Sequence, residues 1–196
     1  MDLAAAARRA LDLALSPART WEKIAQEPGT APAVCMPHLA VMGLFSAATL
    51  ALFAVILRLR LGPGMGVLLG PLLGVVPSTL LLLGGAVWVL AQLARWLAPS
   101  MESTADAAAA LKLAVFGTTP TYLATALFAL DALFVTGAGH RLAVAAGAAW
   151  TFWLLHHGVG VLTATPAAQR TAYAGALAFA WLVLSAFAVM GPRFVL

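Results

Sequence analysis

The chain has a single cysteine, Cys35, which excludes an intrachain disulfide and a thiolate metal site. Charge is nearly as scarce. Asp, Glu, Lys and Arg together make up 9% of the residues, too few to coat a soluble domain of this length in polar surface. No basic stripe with interleaved aromatics occurs, so nucleic acid is not an expected partner. P-loop, nucleophile-elbow, zincin and paired-carboxylate patterns are all missing. Gly158-Val159-Gly160 lacks both a preceding strand and the third glycine of a nucleotide fingerprint. The expectation is therefore a protein that is not an enzyme and takes no cofactor. The first fifteen residues carry Asp2, Arg8, Arg9 and Asp12, so they do not read as the apolar run of a cleaved signal.

What the chain does have is oil. Hydrophobic residues reach 63%, and the charges gather between long apolar stretches. A helix needs about 20 apolar residues to cross a bilayer. The pattern predicts an all-α polytopic membrane protein with five transmembrane helices, near 34–57, 67–94, 113–136, 142–163 and 172–190. Two short amphipathic helices are predicted before them, so 1–29 reads as an interfacial segment and 30–196 as the transmembrane domain. In the first, Leu3, Ala7, Leu11 and Leu15 recur in steps of four and share one face. In the second, Ser16 is a candidate N-cap and Pro17 fits the first helical position. Ser103 and Asp106 read as a capping box opening the third apolar stretch. Inside that stretch, Thr118 and Thr119 have hydroxyls that can satisfy backbone groups freed by Pro120.

Five crossings put the two termini on opposite faces. With the N-terminus inside, the inner segments hold Arg8, Arg9, Arg19, Lys23, Arg95, Lys112 and Arg170, and the outer ones Arg58, Arg60, Arg141 and Arg193. This excess favours a cytoplasmic N-terminus and an external C-terminus. Arginine outnumbers lysine nine to two and alanine abounds, a bias that suggests a bacterial inner membrane.

Several short motifs resemble one known family. Ser16-Pro17-Ala18-Arg19-Thr20-Trp21 precedes the spans, Thr119-Pro120 lies inside the third, and a bulky residue with His-Gly opens the apolar run Leu155 to Val161. A turn with proline, Thr165 to Arg170, then leads to the last span. This is similar to the Yip family, five-span membrane proteins that interact with Ypt/Rab GTPases, in a bacterial-type form. The resemblance implies a non-catalytic role, a cytosolic N-terminus, and a membrane protein that organises or assists other membrane components. Its partners would be the lipid bilayer and either another membrane protein or a second copy of the chain.

The candidate residues follow. Arg19, Trp21 and Lys23 suit a membrane interface, where an indole is half-buried and cations reach phosphate. Gly62, Gly66, Gly70 and Gly74 repeat in steps of four, and Gly66, Gly70 and Gly74 are the candidates for close helix packing. Gly139, Ala143 and Gly147 form a second such stripe. Thr119, Asp131 and His156 are the candidate polar path of the alternative reading, a small transporter or channel subunit. His156 and His157 point about 100° apart on a helix, which disfavours shared metal ligation. Cys35 and His38 share a face, but two ligands do not make a structural metal site.

Overall fold

The computed structural model describes residues 3–61, 69–134 and 138–190. Among them there is no strand. The elements are α1 (Leu3–Leu15), α2 (Pro17–Gln26), α3 (Ala31–Leu61), α4 (Leu69–Leu97), α5 (Ala107–Gly117), α6 (Thr119–Phe134), α7 (Ala138–Leu162) and α8 (Ala167–Met190). A 3₁₀ turn, Ala98–Met101, follows α4. Three stretches among the described residues are individually long and apolar enough to cross a membrane: Ala31–Phe53, Leu142–Leu162 and Ala167–Phe187.

The third predicted span is not one helix. It divides at Thr118 into α5, of 11 residues, and α6, of 16. The cause is local. Pro120 has no N–H to donate and its ring opposes a continuing helix, but it fits the first turn of a new one. Of the two threonines expected to meet freed carbonyls, Thr118 does so, its hydroxyl donating to Ala114 O at 2.7 Å and Val115 O at 3.2 Å, whereas the Thr119 hydroxyl pairs with His38.

The capping box is differently used. Asp106 alone caps α5, accepting from the Ala109 N–H at 2.6 Å. Ser103 instead donates to Thr163 O at 2.8 Å and accepts from the Thr165 hydroxyl at 3.0 Å. The Thr104 N–H also reaches Thr163 O, at 3.1 Å. These bonds tie the segment before α5 to the end of α7, where carbonyls lack helical partners. Tyr173 fastens α8 to α4 by donating to Ala94 O. Trp181 of α8 donates to the Thr121 hydroxyl at 2.9 Å, and Thr121 pairs with Thr151 of α7 at 3.0 Å. The same hydroxyls that would be costly in an oily interior thus serve as its cross-links.

Outward, the helices are greasy. Phe179, Leu182, Val183 and Phe187 form one exposed face of α8, and Leu44, Phe45 and Leu52 are exposed on α3. In water such a surface would drive association. In lipid it needs no partner.

Candidate functional site

The two short helices do not float apart from the bundle. α1 turns at Ser16 and α2 runs back along it, so that Arg9 meets Glu27 at 2.5 Å. The Ser16 side chain makes no capping bond; Thr20 donates to Ser16 O at 2.9 Å instead. α2 buries Pro17, Thr20, Trp21 and Ile24, residues spaced three and four apart on one stripe. In α1 the inward face is Ala6, Ala10 and Leu13. The leucine face read from the sequence points outward, with Leu11 57% and Leu15 74% exposed.

Five contacts clamp this pair. Trp21 donates its indole N–H to Leu154 O of α7 at 3.0 Å, and its ring meets Phe116 of α5 edge-on at 6.4 Å. Lys112 of α5 donates to Ile24 O, near the C-terminus of α2, at 2.8 Å. Arg9 lies over the Phe116 ring, 5.3 Å from its centre. The fifth contact is an absence of side chain. A Cβ at Gly158 would fall 2.8 Å from Trp21 Cζ2 and 2.7 Å from Leu113 Cδ1, so the indole rests on bare α7 backbone.

Under the clamp lies a polar nest. His38 Nε2 and the Thr119 hydroxyl are 3.0 Å apart, with the imidazole 4.8 Å from Phe116. Cys35 is fully buried one turn away, in the field of Lys112, Arg9 and Glu27. Among the described residues no three metal-ligating side chains come together.

The sequence-predicted residues therefore separate. Trp21, read as half-buried in headgroups, is wholly inside the protein; the charges beside it remain outside, with Arg19 and Lys23 exposed. Lys112, read as one of the charges of the inner segments, is 7% exposed within α5. Thr119 is engaged by His38, while the His156 ring sits among Phe152 and His157; no described contact joins the two. Asp131 falls in α6, but its side chain lies outside the described residues, as does Gly66. Gly70 and Gly74 fall in the first turns of α4, and their surroundings also lie outside the described residues. Two members of the second small-residue stripe pack within the chain: Ala143 is fully buried, and a Cβ at Gly147 would be 3.0 Å from Ala124 Cβ of α6.

Gly158→Ala is expected to destabilise the folded protein by about 1–3 kcal/mol, because the Trp21 ring is rigid and must shift bodily. Thermal unfolding in detergent, against Gly175→Ala as a control at a roomier site where a Cβ meets its nearest atom only at 3.9 Å, checks this.

An all-helical membrane protein, cross-linked by hydroxyls and capped on one side by a clamped pair of short helices, is the class this arrangement defines. The Yip1 domain family model matches residues 11–190, from within α1 to the end of α8, and the chain belongs to that family. No curated protein and no solved structure matches it. Trp21 of the Ser-Pro-x-x-Thr-Trp segment and Gly158 of the His-Gly pair, far apart in sequence, are the two halves of one contact.

Proposed function

We propose that this protein is a non-enzymatic, five-span membrane protein of the bacterial inner membrane that organises or assists other membrane components through helix–helix contacts. α3, α4, the α5–α6 pair, α7 and α8 are the five crossings, with the N-terminus cytoplasmic and the C-terminus outside. Residues 1–29 form the interfacial unit and 30–196 the transmembrane unit. One observation carries the reading: His38, Thr119, Thr121, Thr151 and Trp181 join neighbouring helices of the bundle by side-chain hydrogen bonds, while the outer faces of α3 and α8 are apolar. A protein built this way offers its neighbours surface rather than chemistry. Gly66, Gly70 and Gly74 are the proposed docking positions for a membrane-protein partner or a second copy, because backbone approach without side chains is the main source of helix affinity in lipid.

Reporter fusions at Met1 and Leu196 test the topology. Opposite faces are expected; the same face would end the five-span reading. Recovery of a stoichiometric membrane partner, or of a homo-oligomer, after mild detergent extraction is expected for the intact chain, and its loss in Gly70→Leu/Gly74→Leu. Ion flux through the purified protein in liposomes would overturn the reading.

A further inference from the structure

Between α1 and α2 lies an open groove of about 380 Å³. Its walls carry Arg8, Arg9 and Lys23 against Asp12 and Glu27, with Ile24 at its apolar side. Three cations thus face two carboxylates. The balance is not evenly shared, because Glu27 is already neutralised by Arg9. Arg8 and Lys23 have no carboxylate partner among the described residues and stand on opposite walls. Asp12 is the one carboxylate of the groove left open to a hydroxyl donor.

The groove also has a fixed depth. The exposed charges of the pair (Arg8, Asp12, Arg19, Glu22 and Lys23) cannot lie in hydrocarbon, so they mark the headgroup layer. Next to Arg8 on α1 begins the exposed face of Leu11 and Leu15, which faces acyl chains at the same level. A ligand matching both surfaces has an anionic group joined to an apolar tail.

We propose that the α1–α2 groove is a binding site for an anionic phospholipid, whose phosphate lies between Arg8 and Lys23 and whose headgroup hydroxyl donates to Asp12. The guanidinium fork suits two phosphate oxygens, and the ammonium supplies a point charge from the other wall. The tail runs along Leu11 and Leu15. The site rests on the membrane reading and deepens it: the helical pair becomes a selector of headgroups.

The test is lipid retention by the detergent-purified full chain, measured by native mass spectrometry in an equal mixture of phosphatidylglycerol and phosphatidylcholine. The wild type is expected to retain phosphatidylglycerol preferentially. Each cation at a membrane surface is worth about fivefold, so Arg8→Gln/Lys23→Gln loses tenfold or more of that preference. Arg95→Gln, exposed in the last turn of α4 and outside the groove, leaves it intact. Millimolar inorganic phosphate does not displace the lipid, because it cannot supply the tail. Unchanged preference in the double variant, equal loss in Arg95→Gln, or displacement by free phosphate would each overturn the proposal. Continued protection of Cys35 from thiol reagents shows that the pair is still docked; where the double variant exposes it, the single substitutions Arg8→Gln and Lys23→Gln give the reading, each with about a fivefold loss. A failure of the membrane reading itself would show separately, as a chain that stays monomeric in buffer without detergent.

Discussion

Trp21→Ala will expose Cys35. The indole is fully buried, and truncating a buried tryptophan costs about 3–5 kcal/mol in lost contacts and cavity. Its N–H bond to Leu154 O goes too, but that loss is small, since the carbonyl keeps its place within α7. The loss falls on the docking of α1 and α2 rather than on the bundle, because Trp21 is the largest side chain that α2 inserts. Cys35, the sole cysteine and fully buried, is a built-in reporter. At 1.4 kcal/mol per factor of ten, its labelling by a maleimide accelerates by roughly 100-fold or more. Gly158→Ala should add little in the Trp21→Ala background, because the rigid ring it would strike is gone and Leu113 can swing aside. A double-mutant cycle measures that coupling. Labelling of Trp21→Ala at the wild-type rate would show that the pair is held by something other than the indole.

This contact was half legible in the sequence. By spacing, Trp21, Ile24 and Ala25 form the apolar face of α2, away from Arg19, Glu22 and Lys23; in the structure Trp21 and Ile24 are buried with Pro17 and Thr20, and Ala25 is exposed. A helical stripe does not say whether lipid or protein covers it, and cations beside a tryptophan are the signature of an interface. The deciding residue, Gly158, is 137 positions away and looks like any small residue in an apolar helix. α1 was ambiguous for a different reason. It has apolar residues on two faces, and the smaller side chains, Ala6 and Ala10, face the bundle because they allow close approach, which leaves Leu11 and Leu15 outside. The break at Pro120 was visible as a proline; that Thr118 would mend it and Thr119 would turn to His38 needed the neighbouring helix. Ser103 illustrates the same limit. Its spacing to Asp106 satisfies the capping pattern, but a tertiary acceptor, Thr163 O, takes the hydroxyl.

Lys112→Met is the second large effect, and its sign is not obvious. A buried ammonium has lost its water, and an apolar replacement of similar size is often tolerated when the whole polar arrangement goes with it. Here the partners stay. Ile24 O lies in the last turn of α2, where carbonyls have no helical donor, and the lysine charge opposes the negative end of that helix. The thioether side chain would leave this carbonyl facing a sulfur and a methyl group in a dry site. Removing a charged donor from a buried acceptor costs about 2–3 kcal/mol, so Cys35 labelling is expected to rise by about 30- to 150-fold. Far-UV circular dichroism should barely change, because α5 retains its Asp106 cap and methionine is a good helix former. The losses in Lys112→Met and Trp21→Ala act on the same docking equilibrium from adjacent turns of α2. The combined variant should therefore label faster than either alone, up to the rate of an unprotected thiol. If Lys112→Met leaves the rate unchanged, the ammonium is a tolerated burden rather than a tether, and apolar packing alone holds α2 to the bundle.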